Sequence, residues 1–197
     1  MAAIASVLGV FLLISLLVVL IGYVVVTYIL QSKAMYAIAQ RRGIENPWMA
    51  WVPFCNSWML GAISDQYQQA VWGETKNRRK TLLTWHIVYV AVYSVYMYAY
   101  MGFIWMMEEM AYGDEMTLVL LLLLFIMLAL AMIAVSVVFL VAYYKALFDL
   151  FRSSDPGRSM MYLMLSIFVQ FPLPFFMYAC RDKDDGMPTV QQIPETT

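Results

Sequence analysis

No lysine or arginine precedes Lys33, so the chain opens without the basic region of a secretory signal peptide. The uncharged run, Ala2 to Leu30, is far longer than a signal-peptide core and is expected to form an uncleaved first transmembrane helix. Charge is scarce everywhere. Charged residues make up 13% of the 197 residues and hydrophobic ones 63%, which excludes a water-soluble domain, where about 25% and 45–50% are usual. The net charge of −1 supplies no field to gather nucleic acid or an acidic substrate. Two cysteines, Cys55 and Cys180, are too few for a disulfide framework and lack metal-ligand spacing, so reduced thiols and no metal are expected. There is no HExxH, no phosphate-cradling glycine loop and no serine in a nucleophile-elbow setting. Glu108-Glu109 does not continue into the EExxxR of intramembrane CAAX-type proteases. No catalytic residue and no cofactor is assigned, and the chain is read as non-enzymatic.

Long apolar runs are what the sequence does have. About 20 apolar residues cross the hydrocarbon core, and three runs exceed that: residues 2–30, 81–107 and 116–144. Orientation follows the rule that short loops rich in Lys and Arg stay cytoplasmic. Lys33, Arg41 and Arg42 follow the first run, and Lys76, Arg78, Arg79 and Lys80 precede the second. Both groups lie on one side only if Pro47–Ser64 does not cross. The loop between the second and third runs carries Glu108, Glu109, Asp114 and Glu115 and no basic residue. The third run returns to Lys145, Arg152 and Arg158. If residues 160–180 also fail to cross, all 12 basic residues face the cytoplasm, with the N-terminus outside and the C-terminus inside. A fourth crossing at 160–180 would move only Arg181 and Lys183 outside, so it is disfavoured but stays open.

The segments between the spans carry the special residues. Asn46-Pro47 has the form of a helix start, with Asn as cap and Pro at the first position. Pro53, Asn56, Ser57 and Gly61 then interrupt the apolar stretch. Trp48, Trp51 and Trp58 suit the headgroup level. Gln170, Pro172 and Pro174 should split the later segment into two arms. Broken helices survive in a membrane near the interface or inside protein, so both segments are expected to be interfacial or re-entrant. They also share an order: long helix, Lys-Ala, an apolar-periodic turn, a glycine-containing break, then a Pro-interrupted segment ending in Asp. This reads as a weak parallel repeat over 33–64 and 145–180, although any interfacial segment following a helix would look similar.

The expected architecture is therefore all-α: a polytopic integral membrane protein with three long transmembrane helices plus two Pro-interrupted segments. One membrane-embedded domain covers 1–186, and 187–197 form a disordered cytoplasmic tail.

The second run bears a stripe, His86, Tyr89, Tyr93, Tyr96, Tyr100, Phe103 and Met107, alternating spacings of three and four. That is the seam of a left-handed helix pair. Packing against a neighbouring helix is the preferred reading, with hydroxyls bonded to backbone or to small residues such as Ser136. An aromatic-lined path or pocket for a cation or amphipathic ligand is the alternative. His86 has no carboxylate partner within the spans for a proton relay. Met97 and Met101, one turn apart, have thioethers that suit Cu(I), but 17 methionines make gap-filling the preferred reading. Asp182, Asp184 and Asp185 lack the spacing of a calcium loop.

The stretch RRGIENPWMAWVPFCNSWMLGAISDQY, followed by NRRK, resembles a family of uncharacterised small bacterial integral membrane proteins reading RGI-NPW-AW-P-N-W-LG-I-DQY. SIFVQFPLPFFMYACRDKDDGMP is similar to that family's closing motif. The resemblance covers roughly 33–80 and 145–188 and implies a polytopic protein of the bacterial cytoplasmic membrane, with no activity attached. The expected role is a lipid- or partner-binding component. Lys33, Arg41, Arg42, Trp48, Trp51, Trp58, Lys76, Arg78, Arg79 and Lys80 would meet anionic headgroups, a protein partner or a second copy. The alternative is a small oligomeric transporter or channel-like subunit using the tyrosine face.

Overall fold

A computed structural model describes residues 2–74, 76–109 and 115–188. Every regular element among them is helical: α1 (Ala2–Arg41), a 3-10 helix (Pro47–Trp51), α2 (Cys55–Trp72), α3 (Arg78–Glu109), α4 (Glu115–Ser154), α5 (Ser159–Phe168) and α6 (Leu173–Ala179). Three of these, α1, α3 and α4, are long and apolar enough to cross a membrane. The centre of the acidic loop and the tail from 189 onward lie outside the described residues.

The spanning helices outrun the hydrocarbon. At 40 residues each, α1 and α4 rise about 60 Å, roughly twice the ~30 Å they must cross. Burial marks where each changes task. From Val10 to Val26 the large side chains of α1 are mostly exposed, as a lipid-facing surface requires. From Ser32 to Ala39 most are buried: Ser32, Ala34, Met35, Ile38 and Ala39. The chain of α4 repeats this, exposed through Val141 and then buried at Ala146, Leu147, Asp149, Leu150 and Phe151. Aligned on Lys33-Ala34 and Lys145-Ala146, the two stretches differ in burial only at Ser32/Tyr144 and Ala37/Asp149. Both lysines are exposed, and both alanines are fully buried.

The chain divides into two compact units, one formed by Met1–Asn56 with Phe151–Met187, the other built on Ser57–Leu150. The division cuts across the two stretches, 33–64 and 145–180, that the sequence suggests as a weak repeat. The first unit takes the leading helix of the first repeat, α1, and the trailing arms of the second, α5 and α6. The second unit takes α2 from the first repeat and most of α4 from the second.

In the first unit, α1 packs against α6 and against the 3-10 helix. The expected helix start at Asn46-Pro47 is found with a different cap. Pro47 does open the 3-10 helix, but Asn46 adopts φ 56°, the left-handed conformation Asn tolerates, and makes no side-chain capping bond. Tyr28 on α1 donates its hydroxyl to the Trp51 carbonyl, holding the 3-10 helix against the span. The prolines act as expected, since α5 stops at Phe168 and the chain re-enters helix at Leu173. The two arms bring the chain back to where it left: Lys183, after α6, lies 2.7 Å from the carboxylate of Asp155, before α5. At the far end of this hairpin Phe171 stacks on Tyr23, in the apolar part of α1, with ring centroids 5.1 Å apart. Tyr162 joins the arms to α4, stacking on Phe176 at 4.9 Å and tilted against Phe151 at 5.5 Å.

In the second unit the tyrosine stripe packs α3 on α4. Phe139 stacks against His86 and Tyr89, at 5.3 and 5.4 Å. Two heptads earlier on α4, Phe125 meets Tyr96, Tyr100 and Phe103 at 5.4, 6.1 and 5.1 Å. Ser136 donates to the carbonyl of Met132 in its own helix.

Candidate functional site: two ionic clusters and exposed lysines

One face of α2 assembles the polar cluster of the second unit. Ser57, Gly61, Ser64, Asp65 and Gln68 recur at helical spacing and point the same way. At Gly61 the start of α3 comes so close that an added Cβ would lie 2.6 Å from the Arg79 nitrogen and 2.9 Å from the Arg78 carbonyl carbon. One turn on, the Asp65 carboxylate accepts from the backbone nitrogens of Arg78 at 2.7 Å and Arg79 at 3.1 Å. It thereby satisfies two orphan donors and places a negative charge at the positive end of the helix dipole. Asn77, at φ 49°, makes the turn into α3.

The second carboxylate is Asp149 on α4, only 5% exposed. Its Oδ2 accepts from Ser64 Oγ at 2.6 Å, from Gln68 Nε2 at 3.0 Å and from the guanidinium of Arg78. Arg78 also donates to Ser64 Oγ at 3.1 Å and to the Lys145 carbonyl at 3.3 Å. A buried charge needs such partners, because each unmade contact costs the desolvation of the group left behind. Arg79 is looser, 3.9 Å from Asp65 and half exposed.

The first unit holds a parallel arrangement. Asp184 accepts from Arg41 and from Arg42, whose Nε lies 2.7 Å from Oδ1. Arg42 continues to Ser153 Oγ at 3.0 Å, while Arg41 reaches the carbonyls of Arg181 and Lys183. The segment after Asp184 lies across the end of α4. Asp185 and Gly186 donate backbone bonds to Ser154 and Ser153, at 3.2 and 3.1 Å, and a Cβ on Gly186 would meet backbone 3.0 Å away. Burial pulls the Arg42 pKa down against the opposing pull of Asp184. Burial acts to raise Asp184, but the hydrogen bonds and charge of Arg41 and Arg42 outweigh it and hold the carboxyl below its usual range. The Lys183 hydrogen bond holds Asp155 low and raises Lys183 in turn. Burial pushes the Cys180 thiol up to about 11, leaving little reactive thiolate at neutral pH.

The ten basic and aromatic residues expected to face headgroups thus divide. Arg41, Arg42 and Arg78 are occupied by internal carboxylates, with Arg79 at the margin. Lys33, Lys76 and Lys80 are exposed, as is Lys145, and among the described residues their ammonium groups enter no ion pair. Trp48 and Trp51 are exposed, at 57% and 39%, and Trp58 is half-buried. Of the stripe, His86, Tyr89, Tyr96 and Tyr100 sit on the rings of Phe125 or Phe139, while Tyr93 reaches its neighbour Tyr89 at 6.1 Å. Sequence reasoning missed the partner of His86. Ser57 Oγ lies 2.6 Å from its Nδ1, pinning the first turn of α2 to α3. It also missed Asp65, Asp149 and Asp184 as anchors. The signal for Asp149 was there: an acidic residue one turn beyond Lys145 in an otherwise apolar helix.

No family model matches the chain, and neither the curated proteins nor the solved structures include a match. The class defined by the fold is an all-helical, multi-pass membrane protein.

Proposed function

We propose that the chain is a non-enzymatic component of the bacterial cytoplasmic membrane that binds anionic lipid, or a partner carrying like charge, on its cytoplasmic face. In this reading the N-terminus is outside, the basic ends of α1, α3 and α4 lie at the inner leaflet, and α5 and α6 form a re-entrant hairpin. The return of the chain from Asp155 to Lys183 supports the hairpin, since both ends stay at one level. The positive-inside rule supports the orientation.

The observation carrying the binding role is that Arg41, Arg42 and Arg78 are held by carboxylates of the fold, whereas the ammonium groups of Lys33, Lys76, Lys80 and Lys145 stand exposed and, among the described residues, enter no ion pair. Each such charge near an anionic surface contributes on the order of 1 kcal/mol. The test replaces Lys33, Lys76, Lys80 and Lys145 with Gln and compares lipids retained in native mass spectrometry. Loss of anionic lipid with neutral lipid kept is the expected result, and an unaltered lipid profile would sink the proposal.

A further inference from the structure

Within the 57–150 unit, an open cleft of about 580 Å3 lies between the start of α3 and α4. That volume suits a headgroup and the first part of an acyl chain. One end is polar, with Lys76, Lys145 and Thr81 arranged around the Arg78–Asp149 pair. Three cations against one carboxylate leave the lining at a net charge of +2. The other end is apolar, walled by Trp85, Val141 and Ala142. From Arg78 to Trp85 along α3, and from Lys145 to Val138 along α4, the change takes about 10 Å of helix rise. The apolar end is continuous with the exposed apolar surface of α4, where Val138 and Val141 are 41% and 49% exposed.

We infer that this cleft holds a single anionic phospholipid, its phosphate between Lys76 and Lys145 and an acyl chain along Trp85, Val141 and Ala142. The inference rests on the proposed lipid-binding role and narrows it from a set of lysines to one pocket. Charge complementarity selects the anion, and among the described residues neither lysine enters an ion pair. The apolar wall selects a lipid over a free phosphate ion, which would leave that wall unused. Trp85 lines the cleft one to two turns beyond Arg78 and Thr81, where its indole can meet both the polar and the apolar end.

Native mass spectrometry of the full chain in mild detergent, with phosphatidylglycerol, phosphatidylcholine or inorganic phosphate added, tests the site. One phosphatidylglycerol per chain is expected, retained in preference to phosphatidylcholine and not displaced by millimolar phosphate. Displacement by phosphate would overturn the lipid assignment. Ala142→Phe fills the apolar wall without altering charge and should cut retention at least about tenfold, which is roughly the loss of one good contact. If K76Q/K145Q loses the lipid while Ala142→Phe keeps it, the cleft is wrong and the broader lipid-binding role stands. If neither variant loses lipid, the cleft is wrong, and the broader role falls as well when the four-lysine variant also keeps its anionic lipid. Photo-crosslinking to the unmodified protein, with a diazirine in the acyl chain, needs no altered residue. Adducts should concentrate on Trp85 and Val141, and adducts spread evenly over α1, α3 and α4 would overturn the site.

Discussion

Arg42 and Asp184 stand 142 residues apart in the sequence and meet through two nitrogens, Nε at 2.7 Å and Nη2 at 2.6 Å from the same carboxylate oxygen. The Arg42 side chain is 4% exposed, so it cannot fall back on water if its partner is removed. Asp184→Asn is expected to destabilise the first unit by about 2 kcal/mol, below the 3–5 typical of a fully buried pair because the Asp184 side chain is 31% exposed. Arg42→Lys should do little better than Arg42→Gln, since an ammonium cannot span both the carboxylate and Ser153. Thermal unfolding in detergent micelles measures both.

The same contact sets an acid limit. Asp184 has its folded pKa lowered, as does Asp155. A carboxyl with a depressed folded pKa contributes stability that is complete above its unfolded value near 3.8 and is lost as pH falls through the folded value. The unfolding midpoint should therefore change little through these groups between about pH 7 and pH 5 and drop below about pH 4. In Asp184→Asn the acid drop should shrink. An equal drop in the variant would assign it to other groups.

Gly61→Ala forces a Cβ against the backbone of Arg78 and Arg79, where no flexible side chain can move aside. A loss of about 2 kcal/mol is expected, the scale of an overpacked core position. Gly22 on α1 has nothing within 4 Å, and Gly22→Ala should leave the unfolding midpoint nearly unchanged.

Asp149→Asn should destabilise the second unit, because Arg78 then keeps its charge in a half-buried site without its anion. A double-mutant cycle with Arg78→Gln should yield a coupling of at least about 1 kcal/mol, as for groups in one network. Additive losses would mean that the two side chains act independently.

Cysteines placed at Gly157 and Met187, in a variant lacking Cys55 and Cys180, flank the α5–α6 hairpin. An impermeant thiol reagent should reach both only from the cytoplasmic side. Labelling of one from each side would make the segment a fourth span.

The spanning helices were legible in the sequence because lipid imposes one simple demand, an unbroken apolar run. The break at Pro172 and Pro174 was legible for the same kind of local reason, since a ring without N–H cannot continue a helix interior but fits a first turn, where Pro174 sits in α6. The extension of α1 to Arg41 and of α4 to Ser154 was harder, because these turns switch from facing lipid to facing protein. The ionic clusters were not legible. Arg41, Arg42 and Arg78 read as orientation signals, and nothing local marks which carboxylate each will meet across 143, 142 and 71 residues.

The crossed make-up of the two units has a consequence for biogenesis. α1 precedes α5 and α6 in the chain, so it is made before α6, which packs against it. Asp184 follows Arg42 by 142 residues, so the buried guanidinium gains this counterion only once that whole stretch has been made.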